Sequence, residues 1–178
     1  MRRDAPGKGN AEAMSTVETL ESSLHMVEPE KYEALPDIEL YMDQLVEYLS
    51  RTPMSLRRGD KLTGAMVNNY IKSGLLPRAK GKRYSRQHIA DLAMIVRLKQ
   101  VLSVSDTGTL LELARKDDAH SYYDHFCDTI DSVLESLGNK LADYDGSPQA
   151  LAMKLALESY VNKVACEYLI NSLNGSKK

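Results

Sequence analysis

The sequence predicts a mainly α-helical protein that carries one short β-hairpin and ends in an antiparallel pair of long helices. Three observations point there. Apolar residues recur at steps of three and four through most of the chain, which is the spacing of one-sided helices. Ten Tyr and eight Met stand against one Phe and no Trp, in a chain that is 43% hydrophobic; that suits aliphatic helix packing better than a β-sandwich. Only LLPRAKGKRY has short apolar ends flanking a Gly-containing turn, as a small hairpin requires.

Residues 1–34 are polar, acidic and weakly periodic, with Pro6, Gly7, Gly9 and Pro29 as breakers. They are expected to form a mobile acidic tail with a transient helix near Ser15–Met26. Pro36 and Asp37 open the first firm helix, whose apolar face is Ile38, Tyr41, Met42, Leu45, Tyr48 and Leu49. Pro53 and Gly59 bracket a basic connector. Thr63 then caps a short helix to Ser73, and Gly74 stops it. After the hairpin, Ser85 caps a helix to about Leu102 that buries Ile89, Leu92, Ile95, Val96 and Leu98. Ser103 with Asp106 resembles a capping box for a helix to about Arg115.

The last third is helical in a different style. Tyr123, Phe126, Ile130, Val133 and Leu137 form one stripe, widened by Cys127 and Leu134. A loop from Gly138 to Pro148 leads to a final helix through Leu151, Leu155, Val161, Val164, Tyr168 and Leu169. Two helices this broadly apolar suit a hairpin that packs on something else. The 178 residues therefore divide into a tail (1–34), a central unit (35–116) and a helical dimerisation or sensing module (117–178).

Charge is unevenly distributed. The net charge is −2, yet residues 51–100 hold 12 basic and 2 acidic side chains, against 4 and 11 in residues 1–50 and 7 and 12 in residues 101–178. A block of net +10 between acidic flanks points to a surface for a polyanion. On the helix from Thr63, a 100° advance per residue gathers Val67, Tyr70 and Ile71 on one side. Ala65, Asn68, Asn69 and Lys72 gather on the other. That second face has groups able to read base edges: Asn for adenine, Lys for guanine or phosphate, Ala for a thymine methyl. Arg78, Lys80, Lys82, Arg83 and Arg86 then place five cations in nine residues around Gly81, suited to straddling phosphates. Tyr84 can pack beneath that turn as core or offer its hydroxyl to phosphate.

The stretch TGAMVNNYIKSGLLP followed by KRYSRQHIADLAMIVRLKQVLSVSDTGTLLEL resembles the DNA-binding domain of the MerR family of bacterial regulators. More closely, Leu35–Leu111 is similar to a bacterial family known as a domain of unknown function, the YkrK-like group. The resemblance implies a MerR-like winged helix-turn-helix. Within it, Thr63 would be the N-cap, Ala65, Met66, Asn68 and Asn69 would lie on the recognition helix, and Tyr70 would take the aromatic position near its end. Lys80, Lys82, Arg83 and Tyr84 would fall in the wing, with Ser85 starting the next helix. The chain departs from that pattern at Asn68, where the family commonly has Arg. It also breaks the long dimerisation helix between Gly138 and Pro148, and it adds the extension before Leu35.

These readings imply a sequence-specific regulator of double-stranded DNA, cytoplasmic and bacterial, that forms a homodimer through residues 117–178. The alternative is a protein-interaction module on a helix-turn-helix scaffold that does not bind DNA. RNA is less well matched, because exposed stacking aromatics and single-strand motifs are absent. No membrane span is expected: no apolar run approaches the roughly 18 residues needed. Cys127 and Cys166 are expected to be buried apolar residues rather than metal ligands, since no close pairing of Cys or His occurs. No nucleophile–base or dinucleotide motif is present, so neither an enzyme nor a cofactor is expected, and these residues do not name an effector.

Overall fold

A computed structural model describes residues 16, 19, 20, 22–51, 61–114 and 118–175. It is mostly helical, with α1 at Met42–Arg51, α2 at Gly64–Lys72, α3 at Arg86–Leu98, α4 at Val104–Ala114, α5 at Ala119–Ala142 and α6 at Pro148–Gly175. Single 3-10 turns lie at His25–Val27 and Tyr32–Ala34. Residues 1–15, 17, 18 and 21 of the expected tail and the basic connector Pro53–Gly59 fall outside the described residues.

The centre of the molecule is α3. Ile89, Ala90, Leu92, Ala93, Met94, Ile95 and Val96 are all buried, so this helix is enclosed on every side rather than on one stripe. Around it pack Leu45 and Leu49 of α1, Val67 and Tyr70 of α2, Leu75, Leu76 and Tyr84, and Tyr123 and Cys127 of α5. Enclosure also takes in a carboxylate, Asp91, which accepts from Gln87 Nε2 at 3.1 Å. Ser85 caps α3 through a box with His88: the Ser85 amide donates to His88 Nδ1 at 3.2 Å. The Asp106 amide likewise donates to Ser103 Oγ at 3.1 Å, which starts α4.

Several expectations need correction. The first helix starts at Met42, not at Asp37, because the N–H and C=O of Leu40 are both taken by Tyr84, at 2.9 and 2.8 Å. Those bonds hold residues 39–41 extended, so Ile38 and Tyr41 are exposed instead of sharing the helix's apolar face. Among the described residues no β-strand forms, so the hairpin over 75–84 is reduced to its tip. The amides of Leu75 and Leu76 both donate to the Tyr70 carbonyl (2.9 and 3.1 Å), and Pro77 has no N–H to give. Only Lys80 and Arg83 pair across the turn, and the next residue, Tyr84, pairs with Leu40.

Further corrections concern the ends of the chain. The last residues of the supposed mobile tail, 27–34, are packed against the helices. Tyr32 stacks on His120 with centroids 4.5 Å apart, its amide donates to Asp124 at 2.9 Å, and Lys31 pairs with Asp128. The Tyr123 hydroxyl donates to the Glu30 carbonyl at 3.0 Å, and Arg97 reaches the Val27 carbonyl at 3.1 Å. The loop between the last two helices covers only 143–147, since α5 runs four residues past Gly138. Gly138 is a weak helix former, but one Gly costs only about 1 kcal/mol in a helix anchored at both ends.

The terminal helices also pack differently from the expected hairpin. The first half of α5 belongs to the central core through Tyr123 and Cys127, whereas Val133 is exposed. α6 returns to α4, burying Ile170 and bringing Asn174 Oδ1 within 3.4 Å of Thr109 Oγ1. Its buried or half-buried side is Leu151, Leu155, Cys166 and Ile170. Met153, Leu157, Tyr160, Val161, Val164, Tyr168 and Leu169 are exposed. The helix is thus apolar on two sides, and the described residues cover one.

Gly74 ends α2 at φ +75°, in the left-handed region, and open space surrounds the position a Cβ would take. Gly74→Ala should therefore cost about 1 kcal/mol through backbone strain alone. A urea titration that shows no loss would contradict that assignment.

Candidate nucleic-acid interface

The short helix α2 is fixed by its ends. Thr63 Oγ1 accepts from the Met66 amide at 3.2 Å, and Ser73 and Gly74 close the last turn. Val67 and Tyr70 are buried beneath it and Ile71 is half-buried. Ala65, Met66, Asn68, Asn69 and Lys72 are exposed, as the helical spacing predicts. Among the described residues the side-chain amides of Asn68 and Asn69 have no internal hydrogen bond, and both residues are exposed.

The basic turn is anchored to the same helix. Both Leu75 and Leu76 hold the Tyr70 carbonyl, so the turn's stem leaves α2 at a set angle. At the tip, the Arg83 amide donates to the Lys80 carbonyl at 3.0 Å, with Gly81 at φ +57° and Lys82 at φ +63°. Two successive positive φ values make a type I′ turn, which favours Asn or Gly at both positions. Lys82 accepts a strain of roughly 1 kcal/mol there. Arg78, Lys80, Lys82 and Arg83 are all exposed.

Not every expected contact residue is available. Tyr84 is 5% exposed and meets the His88 ring edge-on at 5.5 Å, and Tyr70 is 9% exposed. Both are core supports for the surface rather than part of it, and burial pushes both phenols above their ordinary pKa. Arg86 is turned inward. Its Nη1 lies 2.8 Å from Glu33 Oε2, its guanidinium lies over the Tyr32 ring, and its buried Nε has no hydrogen-bond partner among the described residues. Arg83 lies over the Tyr41 ring with Glu39 Oε2 at 4.0 Å, a loose and exposed pair. Sequence reasoning missed Tyr32, Glu33, Glu39 and Tyr41 at this surface. The acidic density of residues 28–39 was the available signal, but charge alone does not say which carboxylate meets which cation.

Elsewhere the chemistry is structural. Cys127 is fully buried with its thiol 3.7 Å from the Glu30 carbonyl, and burial pushes that thiol up; Cys166 is half-buried, contrary to the full burial expected for both. Among the described residues no three His, Cys, Asp or Glu side chains converge on a metal position, and no helix is long and apolar enough to cross a membrane.

A family model described as "Domain of unknown function (DUF1836)" matches residues 30–126, more than half of the chain. The match begins inside the packed segment before α1 and ends at Phe126, in the part of α5 that belongs to the central core. No curated protein and no solved structure matches the chain.

Proposed function

The chain belongs to the DUF1836 family, and we propose that it is a sequence-specific regulator that binds double-stranded DNA in the bacterial cytoplasm. In this reading α1–α3 act as a MerR-like winged helix-turn-helix whose wing is a turn, not a two-stranded hairpin. Helix α2 enters the major groove, and the turn at 78–84 lies on phosphates. The observation that carries it is the juxtaposition of the uncommitted Asn68–Asn69 face with the Lys80–Arg83 turn on one short, rigid stem. Side-chain amides suit base edges, whereas cations on a turn suit backbone phosphates.

The partner assigned to the second apolar side of α6 is another copy of the chain. Leu157, Val161, Val164 and Tyr168 follow steps of four, three and four, the spacing of a two-helix seam. A homodimer through residues 117–178 would cover them and present two α2 helices to neighbouring half-sites.

The test separates base reading from phosphate binding. Asn69→Ala should cost about 1–3 kcal/mol on a selected operator and little on a scrambled duplex. Arg83→Ala should weaken both duplexes alike, and should lower the slope of log affinity against log salt by about one unit. Both side chains are exposed, so neither change should unfold the protein. Absence of salt-dependent duplex binding by the full chain would overturn the reading in favour of an interaction module.

A further inference from the structure

We propose that the segment Val27–Ala34 is an autoinhibitory clamp in which the Glu33 carboxylate occupies Arg86 in place of a DNA phosphate. The inference rests on the DNA-binding reading and concerns its regulation.

Arg86 is the first residue of α3, directly after the basic turn, where a cation would meet phosphate. The structure instead holds it from above. Glu33 Oε2 takes Nη1 at 2.8 Å, and the Tyr32 ring lies 5.6 Å beneath the guanidinium carbon. Glu33 itself is 70% exposed, so it sits at the edge of the surface and not in the core. The pairing is also incomplete. Glu33 engages Arg86 through Nη1 alone, and among the described residues Nε has no partner, so the pair is not the two-pronged one a guanidinium can make with an oxyanion.

What keeps Glu33 there is the packing of its neighbours. The Tyr32 amide bonds Asp124, its ring stacks on His120, and the Glu30 carbonyl accepts from Tyr123. His120 Nε2 lies 3.1 Å from Asp124 and 3.8 Å from the other oxygen of Glu33. Each of these anchors is on α5, the helix that leads into the proposed dimer contact. A shift of α5 would therefore move Glu33 relative to Arg86, giving the C-terminal helices a physical route to the DNA-facing surface. The structure holds the docked arrangement; in the proposal DNA binding selects a released one.

The experiment measures full-length wild type, Glu33→Gln, Arg86→Ala and the double variant on one mixed-sequence duplex by fluorescence anisotropy across a salt series. Glu33→Gln should bind about two- to five-fold more tightly, the span expected for releasing a partly exposed ion pair. Its salt slope should be steeper by about one unit, for one further phosphate contact. In the Arg86→Ala background the Glu33 change should have no effect. Glu135→Gln, which removes an equal charge from α5, should leave affinity and slope unchanged. Equal binding by wild type and Glu33→Gln would overturn the clamp, as would an effect that persists without Arg86 or is matched by Glu135→Gln. If neither wild type nor Glu33→Gln binds the duplex at low salt, the DNA reading falls and the clamp falls with it.

Discussion

Tyr123→Ala should remove about 3–5 kcal/mol of folding stability, lowering the urea midpoint with little change in slope. Tyr123 is 1% exposed and belongs to the central core, although it sits on α5 beyond the expected boundary of the DNA-binding unit. It meets the Tyr32 ring edge-on at 6.2 Å and stacks near Phe126 at 6.1 Å, so its loss opens a cavity between α3, α5 and the segment before α1. Tyr123→Phe keeps the ring and removes the hydroxyl that bonds the Glu30 carbonyl and meets the Cys127 thiol, so it should cost about 1 kcal/mol. A cost below that for the Ala variant would mean that α5 is a separate module. The same burial raises the phenol pKa of Tyr123, as desolvation and the Glu30 carboxylate raise that of Tyr48. Above about pH 10 the unfolded chain therefore releases protons that the folded one keeps, and stability should fall as pH rises further.

Val161→Asp should convert a dimer into a monomer in sedimentation at micromolar concentration, weakening association by at least a hundred-fold. Val161 is 61% exposed and lies in the middle of the uncovered apolar side of α6, between Leu157 and Val164. A two-fold contact centred there would place two carboxylates in an apolar seam, close to each other. Breaking complementarity in this way typically costs about 3–5 kcal/mol per uncompensated charge. The helicity and melting of the single chain should not change, because in the monomer the new carboxylate stays in water. A wild-type chain that already sediments as a monomer would refute the assigned partner. A variant that stays dimeric would place the contact elsewhere.

Local features were legible because their causes are local. Thr63 caps α2, Ser85 caps α3 and Gly74 adopts a left-handed φ, each from chemistry confined to four or five neighbouring residues. The inward and outward faces of α2 follow from the helical repeat alone, so Asn68 and Asn69 are exposed where expected and Val67 is buried. Tyr84 was ambiguous for a physical reason: an aromatic ring with a polar tip satisfies either a core or a surface, and only its neighbours decide.

Three outcomes depended on segments distant in the chain. Leu40 bonds Tyr84 across 44 residues, and that bond sets both the start of α1 and the fate of the hairpin. Residues 27–34 look like a tail because their own apolar content cannot support a fold. They are ordered by partners some 50 to 100 residues away, among them Arg86, Asp124 and Asp128. The stripe on α6 divides into a covered and an uncovered side according to where α4 lies, which no periodicity within α6 contains. The sequence by itself determined the helical class, the caps, the charge block and the exposed face of α2, since repeat geometry and side-chain chemistry act over a few residues. Only the tertiary structure decided which cation is free and which is held, because the energy of an ion pair depends on a partner's distance and burial.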